Sequence, residues 1–190
     1  LSDVGITIIR KCNYNNYLLV IYENTNIDII KPDGTIINVS DIKRKSITGQ
    51  KTINDVYFIG KYAYLACGFG IVVFDFDKLE VKDTYYVGSS ARNYKIYQIT
   101  KNDTAFVVAS DSGIYYGKFT ANLTNTQYWK PLNTGLPKGP YNGIVNVNGK
   151  LFANYSMFLK SGQYYQDTLY EFTASNSWLR VNGLVPNTYR

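Results

Sequence analysis

Short apolar runs and turn residues alternate along the whole chain. Tyr17-Leu-Leu-Val-Ile-Tyr22 leads through Glu23-Asn-Thr-Asn26 to Ile27-Asp-Ile-Ile30. Tyr62-Ala-Tyr-Leu-Ala-Cys67 leads through Gly68-Phe-Gly70 to Ile71-Val-Val-Phe74, and Ala105-Phe-Val-Val-Ala109 through Ser110-Asp-Ser-Gly113 to Ile114-Tyr-Tyr116. Leu151-Phe-Ala-Asn-Tyr155 reaches Thr168-Leu-Tyr-Glu-Phe172 through a longer loop, the one long loop that the sequence predicts. Runs of four to seven β-branched and aromatic residues between Gly, Asn, Asp and Ser clusters predict strands joined by tight turns. No stretch shows the 3.6-residue period of an amphipathic helix.

The pattern repeats. Ile27, Ile71 and Ile114 open equivalent strands at intervals of 44 and 43, and Leu169 follows after 55, so the last repeat holds an insertion over 157–167. The second repeat resolves most clearly into four strands, Ile53 to Ile59, Tyr62 to Cys67, Ile71 to Phe76 and Val81 to Val87. A second recurring element marks the joints. Trp129-Lys-Pro-Leu-Asn133 precedes Gly135-Leu-Pro137, and Trp178-Leu-Arg-Val-Asn182 precedes Gly183-Leu-Val-Pro186. Leu1, Ile47, Val87, Leu136 and Leu184 then align at spacings of 46, 40, 49 and 48.

A four-stranded meander cannot bury both its faces alone, so repeated meanders stack face to face. Units of this length predict an all-β chain, a β-propeller of four four-stranded antiparallel blades. The units fall at 1–46, 47–87, 88–135 and 136–190. Two closures stay open, an arc of a larger propeller and a ring of four blades. The crossing at the C-terminal end, with nothing to clasp the ends, favours the arc. An arc leaves apolar end faces that could self-associate.

Composition sharpens the picture. Tyrosine is abundant, with 19 Tyr, 9 Phe and 2 Trp in 190 residues, in keeping with strands. There is no His, which excludes a Ser-His-Asp triad and every histidine metal site. Cys12 and Cys67 both sit in strand-like runs and read as small buried residues. No metal or cofactor site emerges. Asp75-Phe-Asp77-Lys-Leu-Glu80 lacks the spacing of a calcium loop and reads as a hairpin turn. Tyr85-Tyr86 and Tyr115-Tyr116 should each send one ring to either face of the strand.

Net charge is +6, which permits an anionic partner. Lys43, Arg44 and Lys45 form the densest basic stretch, either a solvated connection or a patch for an acidic glycan. Nucleic acid is not expected, since no recognition helix or RNA-binding motif accompanies the charge. No apolar run is long enough for membrane insertion. The insertion carries Phe158, Tyr164 and Tyr165, which could stack on a ligand or partner, cover the hairpin, or extend its strands.

Several segments resemble the N-terminal propeller of PorZ-like proteins of Bacteroidetes. They include Leu1-Ser-Asp-Val-Gly-Ile-Thr7, Asn38-Val-Ser-Asp-Ile-Lys-Arg-Lys45, Tyr62 to Asp77, Lys82-Asp-Thr-Tyr-Tyr-Val-Gly88 and Gly143 to Ala153. The resemblance is dense over the first 90 residues. It implies a section of a larger propeller in a long secreted protein. It also implies an extracytoplasmic place, in the periplasm or at the outer-membrane surface. Where a type IX secretion system exists, it implies partners among surface attachment proteins that join cargo to anionic lipopolysaccharide. No catalytic residue follows from it, and the expected role is a non-catalytic scaffold for protein or anionic-glycan binding. The alternative is the periplasmic carbohydrate-sensing propeller of a hybrid two-component regulator, which also repeats Gly-Leu-Pro before each blade.

Overall fold

The structure, a computed structural model, describes residues 4–47, 49–89, 92–159 and 164–182. Four antiparallel sheets of four strands follow one another in chain order. The first holds β1 (Ile6–Lys11), β2 (Leu18–Tyr22), β3 (Ile27–Ile30) and β4 (Ile36–Val39). A single helical turn, α1 (Asp41–Arg44), leads to the second sheet, β5 (Ile53–Ile59), β6 (Tyr62–Cys67), β7 (Gly70–Asp75) and β8 (Glu80–Tyr85). A two-residue hairpin, β9 (Gly88–Ser89) and β10 (Arg92–Asn93), precedes β11 (Ile96–Lys101), β12 (Ala105–Ser110), β13 (Gly113–Lys118) and β14 (Trp129–Pro131). The last sheet is β15 (Tyr141–Val147), β16 (Lys150–Leu159), β17 (Tyr164–Phe172) and β18 (Trp178–Arg180). Each sheet is a plain meander, as the alternation of runs and turns predicts.

The sheets stack through three apolar interfaces. The first packs Leu19, Ile21, Ile27 and Ile29 against Val56, Leu65, Val72 and Phe74. The second joins Ala66 and Ile71 to Ile99, Phe106 and Val108. The third joins Val107 and Ile114 to Ile144, Ala153 and Trp178. Strands between two interfaces are covered on both faces, so β7 and β12 are buried at every position. That is why Ile71-Val-Val-Phe74 and Ala105-Phe-Val-Val-Ala109 read as unbroken apolar runs. The tyrosine pairs divide as expected. Tyr86 packs in the first interface and Tyr85 in the second, while Tyr115 joins the second and Tyr116 the third.

Neighbouring sheets meet at their first strands, with β11 lying against both β5 and β15. The first strands therefore form the inner edge and the fourth strands the outer edge of an arc. The crossing residues enter successive interfaces, Ile47 the first, Val87 the second and Leu136 the third. Leu1 and Leu184 lie outside the described residues. Cys12 and Cys67 are both buried in the first interface as free thiols, and burial pushes the Cys67 thiol up to about 12.

The end faces differ from the interior. On β1, Ile6 and Ile9 are 50% and 51% exposed, and Ile36 of β4 is exposed too. Pairing places Ile6 opposite Tyr22 and Ile9 opposite Val20, on the face turned away from the second sheet. Asp28, paired with Val20 on this face, is buried and accepts hydrogen bonds from Tyr22 Oη at 2.9 Å and Asn38 Nδ2 at 2.6 Å. On the last sheet, Val145, Val147 and Leu179 are exposed.

Candidate functional site

Lys43, Arg44 and Lys45 lie on α1 and at its end. The turn forms there because Ile42 is anchored in the first interface, which leaves its charged neighbours outside. Lys51 joins them, donating from Nζ to the Lys43 carbonyl at 2.8 Å. Asp41 tempers the charge through a loose pair with Arg44 at 3.9 Å. Lys45 borders a small cleft of about 210 Å³ with Ile47, Phe69, Val81 and Tyr86. The structure thus gathers four exposed or partly exposed cations at the joint between the first two sheets.

The insertion is not a loop. Strands β16 and β17 run through it, pairing Met157 with Gln166, Phe158 with Tyr165 and Leu159 with Tyr164. Of the alternatives open in the sequence, the backbone takes the extended hairpin. The side chains of Phe158, Tyr164 and Tyr165 lie outside the described residues. The long loop is elsewhere, between β13 and β14, where Phe119 to Tyr128 carry a short 3-10 turn over Thr126–Tyr128.

The acidic turn after β7 is organised by hydrogen bonds and Lys61. Asp75 Oδ1 accepts the N–H groups of Asp77 and Lys78 at 2.9 and 3.3 Å. Lys61 Nζ bridges Asp75 Oδ2 at 3.3 Å and Asp77 Oδ2 at 3.0 Å. Burial pushes the Asp75 carboxyl up, but these hydrogen bonds and Lys61 hold it below the usual carboxylate range. Tyr14 Oη donates to Asp77 Oδ1 at 3.1 Å, tying the first sheet to this turn. Among the described residues, no group of three or more His, Cys, Asp or Glu could hold a metal ion.

One set of polar residues escaped the sequence reading. Every first strand shifts register near its start, between Ile6 and Ile8, Ile53 and Asp55, Ile96 and Gln98, and Tyr141 and Gly143. A bulge re-aims the residue that follows it. Gln98 Oε1 accepts the Ile144 N–H of the next sheet at 2.8 Å. Asp55, its counterpart one repeat earlier, accepts from the backbone of Ile99. Asn54 Nδ2 donates to the Ile96 carbonyl at 2.6 Å, and Asn146 Nδ2 to the Lys101 carbonyl at 2.8 Å. Blades are therefore linked by side chain to backbone bonds as well as by apolar packing. The visible signal was a polar residue two places after each strand-opening Ile, at Asp55 and Gln98.

The Gly-Leu-Pro crossing has its own geometry. The Trp178 N–H donates to the Thr134 carbonyl at 2.8 Å and its Nε1 to the Leu132 carbonyl at 2.7 Å. Gly135, at φ +86°, passes so close to Trp178 that a Cβ would overlap its carbonyl oxygen. The tryptophan on the outer strand of one blade thus clasps the crossing that leaves the previous one.

Four meanders in chain order, inner edges together and faces stacked, define an arc of a β-propeller. The family model for the N-terminal β-propeller domain of PorZ, a type IX secretion protein, matches residues 1–130, and the chain belongs to this family. PorZ of Porphyromonas gingivalis, an essential bacterial surface component of the type IX secretion system, is similar in structure, with a TM-score of 0.70 at 22% identity. The match covers 95% of this chain and 27% of that one. The extracellular domain of the putative hybrid two-component system BT3049 from B. thetaiotaomicron gives a TM-score of 0.59 at 15% identity, over 96% of this chain and 30% of that one. The Cps50 (Swd1) β-propeller domain of Myceliophteria thermophila gives 0.53 at 13% identity, over 100% of this chain and 72% of that one. At these identities the likenesses show the fold. The chain spans less than a third of the length of the first two proteins. A search of the curated proteins finds no significant match.

Proposed function

We propose that the chain is a non-catalytic, extracytoplasmic propeller scaffold that contacts partner proteins in a surface secretion and attachment complex. The observation that carries this reading is its membership of the PorZ N-terminal propeller family. Support comes from the architecture. Four stacked meanders held by apolar interfaces and inter-blade hydrogen bonds make a rigid platform, and among the described residues no helix is long and apolar enough to cross a membrane. Within this reading, Lys43, Arg44, Lys45 and Lys51 form the face for an acidic partner, and an anionic polysaccharide fits their charge.

The test is in-cell cross-linking of the tagged full-length protein followed by mass spectrometry. Cross-links from Lys43, Lys45 or Lys51 to outer-membrane secretion proteins are expected. Cross-links confined to cytoplasmic proteins would overturn the reading. The glycan component is tested separately. Replacing Lys43, Arg44 and Lys45 together by Ala should weaken and flatten the salt dependence of anionic polysaccharide binding. Unchanged binding removes the patch from the proposal.

A second reading has one specific observation in its favour, the structural likeness to the BT3049 extracellular domain together with Gly135-Leu-Pro137. It makes the chain the carbohydrate-sensing propeller of a hybrid regulator. A histidine kinase encoded downstream in the same polypeptide would select this reading over the scaffold.

A further inference from the structure

A cleft of about 300 Å³ opens between the second and third sheets, near the end of the arc that carries the β5–β6 and β11–β12 turns. Its lining includes Tyr64, Tyr85, Lys101, Phe106, Phe119 and Leu123. It exists because of the long β13–β14 loop. After β7 the chain turns within Phe76 to Leu79, but after β13 it runs through ten residues, and Phe119 and Leu123 from this loop form one wall.

Three features give the cleft the character of a ligand site. The walls are aromatic and aliphatic, with Phe106 meeting Tyr64 at 4.5 Å and Phe119 edge-on at 5.0 Å between ring centres. Phe119 is 42% exposed, a large apolar ring left at the mouth of the cleft. The polar groups are few, and the Asp83 carboxylate is near enough to act on the Tyr64 and Tyr85 phenols. No hydrogen bond joins the Tyr64 or Tyr85 hydroxyl, and no ion pair holds the Lys101 ammonium, among the described residues. Burial pushes the Tyr64 phenol up to about 12, so it stays a neutral donor. A pocket of roughly 300–1,000 Å³ with apolar walls and a small number of placed donors is the usual form of a small-molecule site.

The ligand class follows from this lining. Many hydroxyls would go unpaired against Phe106, Phe119 and Leu123, which argues against a sugar. A ring would be covered by them, and one anionic group would meet Lys101, which has no ion pair among the described residues. We propose that the cleft binds a small aromatic carboxylate, its ring packed against Phe119 and Leu123 and its carboxylate on Lys101. The site is distinct from the Lys43 to Lys45 patch and does not depend on the scaffold reading.

The experiment is methyl NMR of the intact protein titrated with indole-3-acetate. Saturable shifts are expected at the Leu123 and Ile59 methyl groups. Indole-3-acetamide, the neutral analogue, should bind about tenfold more weakly, the worth of one charge-assisted hydrogen bond. Lys101→Met should weaken the acid far more than the amide and so bring the two to similar affinity. Leu123→Trp, which fills the cleft, should abolish the Ile59 shifts. Equal binding of acid and amide by the unaltered protein overturns the proposal, whatever the variants do. So does an absence of saturable shifts, or tighter binding of galacturonate than of indole-3-acetate.

Discussion

Replacing Gly135 by Ala tests how the Gly-Leu-Pro crossing holds two blades together. Two costs separate there. The first is conformational, because Gly135 has φ +86°, where an L-residue is strained by about 1–2 kcal/mol. The second is steric. The new Cβ would lie well under 3.0 Å from the Trp178 carbonyl oxygen, a backbone atom that cannot rotate away. The crossing must then move, and it carries the bonds from Trp178 N to Thr134 and from Trp178 Nε1 to Leu132. Each bond is worth about 0.5–1.5 kcal/mol net, so with the strain the loss reaches about 2–5 kcal/mol in total. Gly149 is the matched control. It has the same φ of +86°, with nothing within 4 Å of its added Cβ, so Gly149→Ala carries the first cost alone. Urea unfolding followed by tryptophan fluorescence reads the difference, since Trp129 and Trp178 are the two tryptophans of the chain. Gly135→Ala should lose at least about 1 kcal/mol more than Gly149→Ala, one lost bond at the least. Equal losses, within the roughly 0.5 kcal/mol scatter of such comparisons, would refute the steric argument.

Further expectations concern the polar links. Gln98→Ala strands the Ile144 N–H, which belongs to a buried residue, and should cost about 1–3 kcal/mol. Gln98→Glu keeps an acceptor and should cost clearly less in the same denaturation assay. Burial pushes the Asp55 carboxyl above its usual range, with the Val56 and Ile99 N–H groups and Arg10 opposing in part. A carboxyl raised on folding weakens stability as pH rises from the unfolded pKa through the folded one. Asp55→Asn should therefore stabilise at pH 7, an advantage that disappears in melting curves taken at about pH 3. Asp75 has the opposite sign, its carboxyl being held low, so its contribution is present above the unfolded pKa and lost as pH falls through the folded one. Lys61→Met should lower the melting temperature at pH 7 and shrink the loss seen on acidification.

Much of the fold was legible because a propeller writes its period into the chain. Ile27, Ile71 and Ile114 mark the same strand three times, and the unbroken runs at Ile71 to Phe74 and Ala105 to Ala109 reveal strands covered on both faces. Tyr85-Tyr86 divided between two interfaces because strand alternation leaves no other choice. The inter-blade links were not legible. Asp55 and Gln98 reach the next sheet only because a bulge precedes each, and a register shift depends on the partner strand rather than on local residues. The insertion at 157–167 looked like a loop because Ser161-Gly162 interrupts it, yet its flanks alternate well enough to pair as strands. The loop from Phe119 to Tyr128 lengthens the third unit, so that Val87 and Leu136 stand 49 residues apart against 40 for Ile47 and Val87, but no motif in it marks the wall of the aromatic cleft that it builds. Lys43 to Lys45 were visible as charge, but their gathering with Lys51 is a product of folding.

The four sheets form an arc, and we propose that its apolar end faces are covered by further blades in the full-length protein. Ile9 and Val147 report on the two ends, being 51% and 49% exposed in the arc itself. Within this chain the native Cys12 and Cys67 are both buried, and following the labelled peptide by mass separates Ile9→Cys and Val147→Cys from any other cysteine. Ile9→Cys and Val147→Cys, placed singly in the full-length protein, can be challenged with a maleimide and followed by mass. Both cysteines should label far more slowly in the native protein than after unfolding. Fast labelling of both in the native state would contradict the account.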